Sequence, residues 1–159
     1  MVPLRRLAPS SPSAAPRRGG TWALLVGLAL LTGSPATAED VPFVIIVNRR
    51  NAADGLDRGT LARYFLKKST RWPDDTPVLP VDLPGDSPVR ARFSKGVLGR
   101  SAQSVKSYWQ QLIFSGRGIP PPELDSDEAV VRYVEKHRGA IGYVSNQASL
   151  GQTKALTMH

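Results

Sequence analysis

Five consecutive apolar residues, Phe43-Val44-Ile45-Ile46-Val47, constrain this chain more than any other stretch. β-Branched side chains are stiff at χ1 and pack well on an extended, pleated backbone. An unbroken apolar run of this length offers both faces of a strand for burial, so layers must cover it on either side. A second run, Ala140-Ile141-Gly142-Tyr143-Val144, repeats the pattern near the C-terminus.

Helical patterns fill the space between. Leu56 and Leu61 bracket Asp57 as a hydrophobic staple around an N-cap, and Leu61, Tyr64, Phe65 and Leu66 supply the apolar face. Residues 67–77 read as a turn-rich loop whose Trp72 ring plugs the core, and a short strand follows at 78–81. A helix is expected from about Pro88 to Val97, ended by Gly96 or Gly99. Ser101 caps another, in which Val105, Tyr108, Trp109, Leu112 and Ile113 follow the helical period. Pro120 to Pro122 forbid helix. Asp125 and Glu128 form a capping pair for a last helix carrying Val130, Val131 and Val134, which stops at Gly139 as a left-handed C-cap. Residues 154–157 read as an edge strand. Strands alternating with helices predict an α/β fold, a single three-layer-type domain with a mostly parallel sheet.

The first 38 residues have a different character. Arg5, Arg6, Arg17 and Arg18 precede a ten-residue apolar run, Trp22 to Leu31, and Ala36-Thr37-Ala38 gives a small-x-small end. This is the layout of a signal peptide over residues 1–38, and ten residues fall short of the about 20 that span a bilayer. The expected mature domain is 39–159, periplasmic or secreted, with no transmembrane segment after cleavage. Four of the 21 Lys and Arg and none of the 13 acidic residues lie in the leader, so the remaining 121 residues carry +4 rather than +8. That modest charge gives no ground to expect a nucleic-acid partner. Cysteine is absent, which removes thiolate catalysis and disulfides.

Chemistry is best sought in residues 81–93, VDLPGDSPVRARF. Arg90 and Arg92 fall in the first turns of a helix, where the macrodipole disfavours cations. Either an anion sits there, held by Ser87 and the first-turn amides, or Asp82 and Asp86 neutralise the arginines, with Asp86 and Arg90 paired at i, i+4. Arg49 and Arg50 would add a positive rim if the first two strands are parallel neighbours. The two histidines, His137 and His159, form neither a triad nor a metal-ligand spacing, so no enzyme, cofactor or metal is expected.

The segments read in order resemble a family: the phosphate-binding periplasmic substrate-binding proteins of ABC transporters, in particular their short exported relatives. The residues that carry the resemblance are Phe65-Leu66-Lys67-Lys68, Arg71-Trp72-Pro73-Asp74 and Gly139-Ala140-Ile141-Gly142-Tyr143-Val144, within a span from Val44 to Ser145. Lys67 stands where that family has a glycine. The resemblance implies one lobe of a type II periplasmic binding protein and a solute-binding role, for phosphate or a similar oxyanion, in ABC-type phosphate uptake. It places the family's Gly-Ser-Gly-Thr phosphate loop at Gly85-Asp86-Ser87-Pro88; the residues themselves add Arg90 to balance the anion's charge and Arg49 and Arg50 as an auxiliary rim. Asp86 sets a carboxylate in that loop, and Pro88 lacks the N–H a glycine would donate. Full-length members close two lobes on the ligand, whereas this chain has the length of one. Implied partners are the oxyanion and ABC transporter membrane components or another envelope protein. The alternative is a ligand-free interaction module that docks on an envelope partner through the loop Gly116 to Leu124.

Overall fold

Strand β1, Phe43–Asn48, occupies the middle of a five-stranded sheet. The structure, a computed structural model, describes residues 42–159. The expected signal peptide and its cleavage point lie outside the described residues. The other elements are β2 (Gly55–Leu56), α1 (Arg58–Phe65), β3 (Leu79–Pro80), α2 (Pro88–Phe93), α3 (Ala102–Phe114), α4 (Asp127–Lys136), β4 (Ala140–Ser145) and β5 (Thr153–Met158). The sheet order is β2-β5-β1-β4-β3.

Burial of β1 on both faces holds, and the fold is the α/β class the alternation predicts. The sheet, however, is mixed rather than mostly parallel. β1 runs antiparallel to β4, with Ile45 opposite Tyr143, and antiparallel to β5, with Ile45 opposite Leu156. Among the strands of the described residues, the two-residue strands pair in parallel, β2 with β5 and β3 with β4. The apolar run reports that two layers cover the strand, and either strand direction satisfies that requirement. Nor is β5 an edge strand, since β2 covers its outer side.

Alternation along the strands sorts the layers. Ile45 and Tyr143 face α1 and α2: the Phe93 ring stacks on Tyr143 with centroids 3.9 Å apart, and Phe65 lies 4.5 Å from Phe93. Ile46 and Gly142 face α4, where a Cβ on Gly142 would approach Val130 Cγ1 at 2.6 Å. Asn48, also on that face, donates to the carbonyls of Val134 and Glu135 at 2.8 Å each, so a strand residue caps the open end of α4. Trp72 is buried and donates through Nε1 to Gly139 O at 3.0 Å, which makes it the core plug expected.

Several local expectations shift by a residue or in mechanism. Ser126, rather than Asp125, caps α4, accepting from Ala129 N at 3.2 Å. Gly139 is not left-handed; it is required because a Cβ there would lie 1.9 Å from Pro77 O. The helix begun by α2 continues as a π-helical turn, Ser94–Leu98, which ends at left-handed Gly99. Lys67 has φ of +52°, with Lys67 N–H on Tyr64 O and Lys68 N–H on Arg63 O. This is a Schellman ending of α1 built on a non-glycine residue, at the position where the resembling family has glycine.

Candidate functional site

Beyond β3 the chain stays extended, and Asp82 is stitched to a second segment on its far side. Asp82 N–H donates to Pro122 O at 2.9 Å and Leu124 N–H to Asp82 O at 2.8 Å. The Pro120–Leu124 stretch therefore extends the sheet edge and carries Glu123 alongside Asp82. A Pro-Gly turn follows Leu83, and Ser87 starts α2 by accepting from Arg90 N at 3.3 Å, with Pro88 at the position that needs no N–H. One turn into α2, Arg90 points back to the extended Asp82–Leu83 segment that follows β3.

The Arg90 side chain is 4% exposed. Its Nη2 meets Asp82 Oδ2 at 3.0 Å, its Nη1 donates to Leu83 O at 2.6 Å, and Nη1 also pairs with the Glu123 carboxylate. Asp82 receives, in addition, the Tyr143 hydroxyl and the Leu83 N–H, the latter at 3.0 Å. One guanidinium thus serves two carboxylates, one buried and one half in water. Burial pushes the Asp82 carboxyl above its ordinary value, against the opposing pull of Arg90 and the Tyr143 hydroxyl. Burial opposes the charge on Arg90 too, but Asp82 and Glu123 more than offset it. The Tyr143 hydroxyl is pushed up by burial and by the adjoining Asp82 charge, and remains a donor.

Arg90 Nε is buried and has no hydrogen-bond partner among the described residues, a costly arrangement for a charged donor. Arg90 also lines a cavity of about 200 Å³, together with Asp82, Glu123, Lys106, Gln110, Trp109 and others. At about 30 Å³ per water, that is room for on the order of six waters, enough for a four-oxygen anion.

The residues singled out in the sequence are only partly brought together. Arg90 is in the cluster. Asp86 does not pair with it, the buried Asp82 taking that place, and both Gly85 and Asp86 are exposed on the turn. The Ser87 hydroxyl is engaged as the cap of α2. Arg49 and Arg50 lie at the other end of the sheet. Since β3 runs parallel to β4 and β1 antiparallel to it, the C-terminal ends of β1 and β3 point to opposite edges. There Arg49 donates to Gln152 Oε1 at 3.0 Å, in a groove shared with Arg50, Lys136 and Arg138. The rim expected from parallel neighbours therefore does not form around Arg90. Glu123, Lys106, Gln110 and Tyr143 were not legible as site residues, because they meet Arg90 only through the fold. Among the described residues, no group of His, Cys, Asp and Glu is arranged to hold a metal ion.

With this geometry in hand, comparison with solved structures gives a consistent fold. The chain is similar to a Clostridium perfringens protein assigned as a phosphate ABC transporter substrate-binding protein, solved with bound phosphate, with a TM-score of 0.58 and 18% identity over 73% of this chain and 44% of that one. An ABC-type phosphate transport receptor from Vibrio cholerae matches with a TM-score of 0.58 and 18% identity over 73% of this chain and 45% of its own. PstS from Borrelia burgdorferi matches with a TM-score of 0.51 and 10% identity over 74% and 47%. The fold is that of these substrate-binding proteins, and the chain spans less than half the length of each. No protein-family model matches the sequence, and neither does any curated protein.

Proposed function

We propose that this chain is an exported binding protein for phosphate or a similar oxyanion, acting in connection with ABC-type phosphate uptake at the cell envelope. The observation that carries the reading is the buried charge of Arg90, in the wall of a cavity that Lys106 and Gln110 also line. The likeness of fold to proteins described as phosphate receptors agrees with it. Lys106 and the Gln110 amide supply donors to the anion, the Arg90 charge lies in the wall beside them, and Gly85, Asp86 and Ser87 form the turn at the same end of α2. Two carboxylates in the lining, Asp82 and Glu123, repel a fully ionised ligand. The site therefore favours an oxyanion that retains a proton to donate, or one that displaces Glu123 into the water it already half occupies. The reading is that of a binder, not an enzyme.

Thermal unfolding in millimolar phosphate, arsenate, sulfate and chloride tests this. Ligand at a hundred times its Kd stabilises by about 2.7 kcal/mol. The expected result is a phosphate-selective rise of several degrees, abolished by Lys106→Ala and enlarged by Glu123→Gln. Equal response to all four salts would refute it.

A further inference from the structure

The apolar stripe of α3 runs past its cover. Val105 and Trp109 are 1% and 5% exposed, yet Ile113, next on the same stripe, is 51% exposed, and Phe114 and Ile119 beside it are 88% and 77% exposed. Between Ile113, Ile119 and Lys67 lies a trough of about 660 Å³, lined also by Arg117 and Pro120. Two large apolar side chains held in water around a concavity, with the exposed Phe114 next to Ile113 in the chain, are unusual for a surface without a partner.

We propose that this trough is a docking site for a protein segment that carries a large apolar side chain flanked by carboxylates. The surface is set in advance. α3 ends in a Schellman motif, with Gly116 at φ of +67°, Gly116 N–H on Ile113 O and Arg117 N–H on Leu112 O. Lys67 Nζ reaches Pro120 O at 3.5 Å, and Pro122 O is bound by Asp82 N–H. A loop pinned at both ends loses little freedom when a partner binds. Charge selects the occupant. Lys67 and Arg117 flank the trough, and the nearby Glu123 is engaged with Arg90. A second copy of this chain docked face to face would oppose Lys67 and Arg117 to themselves, and the arginines of residues 1–38 meet the same repulsion. A concavity beside two glycine backbones, Gly116 and Gly118, suits an inserted side chain and a close main chain rather than a flat bilayer surface.

The test uses the full chain and two labelled peptides that share a Leu-Phe core, one flanked by glutamates and one by lysines, read by fluorescence polarisation. The glutamate peptide is expected to bind at least about tenfold more tightly, and Ile119→Ser to weaken it about tenfold or more without moving the unfolding transition. Lys67→Glu with Arg117→Glu is expected to reverse the preference between the peptides. Equal binding of both peptides, or of neither, overturns the proposal. So does co-sedimentation with phosphatidylglycerol vesicles, or self-association in the ultracentrifuge, that the Ile119 substitution abolishes. Ile113 and Pro120 line both the trough and the Arg90 cavity, but Ile119 lines the trough alone, so its substitution separates the docking result from phosphate binding at Arg90.

Discussion

Replacing Arg90 with leucine is the perturbation that most directly probes the buried cluster. It leaves Asp82 buried, with the Tyr143 hydroxyl and the Leu83 N–H as donors but no countercharge. Removing one member of a buried ion pair costs about 3–5 kcal/mol, a large part of the about 5–15 kcal/mol that holds a domain together. At roughly 4 °C per kcal/mol for a domain of this size, the melting temperature should fall by on the order of 10–20 °C. Thermal unfolding followed by the fluorescence of the buried Trp72 and Trp109 measures that fall, and urea unfolding by the same signal the free energy. Adding Asp82→Asn to Arg90→Leu removes the stranded charge while keeping an acceptor for Tyr143. The double variant should therefore be about 1–2 kcal/mol more stable than the two single losses summed. The pH dependence has a definite sign. Burial already holds the Asp82 carboxyl above its ordinary 3.8, and losing Arg90 raises it further. A raised acid contributes stability that is fully present below 3.8 and lost as pH rises through the raised value, so the Arg90→Leu defect must be larger at neutral pH than near pH 4. A loss of under about 1 kcal/mol, as for an exposed ion pair, or strict additivity in the double variant, would refute the placement of these charges.

Other substitutions follow from single positions. Lys67→Gly should stabilise by about 1 kcal/mol, since it relieves a left-handed conformation that L side chains disfavour, and urea midpoints will show it. Gly142→Ala should destabilise by about 1–3 kcal/mol, because the new methyl meets Val130 Cγ1 at 2.6 Å and Val81 Cγ2 at 3.0 Å; a change under a few tenths would mean α4 can move aside. Asp57 caps α1 through the Thr60 hydroxyl and N–H, which hold its carboxyl below its ordinary 3.8. Its contribution is therefore present above 3.8 and lost as pH falls through the lowered value, and an NMR titration midpoint at or above 3.8 would contradict the cap.

What could be read in advance divides by distance along the chain. Asp57 with Thr60, Ser101 with Ser104 and Ser87 with Arg90 each meet three residues apart, so their caps and the helices they start were legible as patterns. Of the two acids expected to neutralise the arginines that begin α2, Asp82 pairs with Arg90 and Asp86 stays in solvent. Glu123 lies 33 residues from Arg90 and Tyr143 61 from Asp82, separations at which no sequence pattern survives.

By itself the sequence determined the helices and main strands, the N-caps of α1, α2 and α3, the two-faced burial of β1 and the core role of Trp72, because periodicity and short-range hydrogen bonding are properties of adjacent residues. Tertiary structure alone decided strand direction, the separation of Arg49 and Arg50 from Arg90, the uncovered end of the α3 stripe and the pairing of one guanidinium with two carboxylates. Each of these depends on which surfaces meet across the sheet. There the need to bury apolar area and to neutralise buried charge selects partners that the chain order does not.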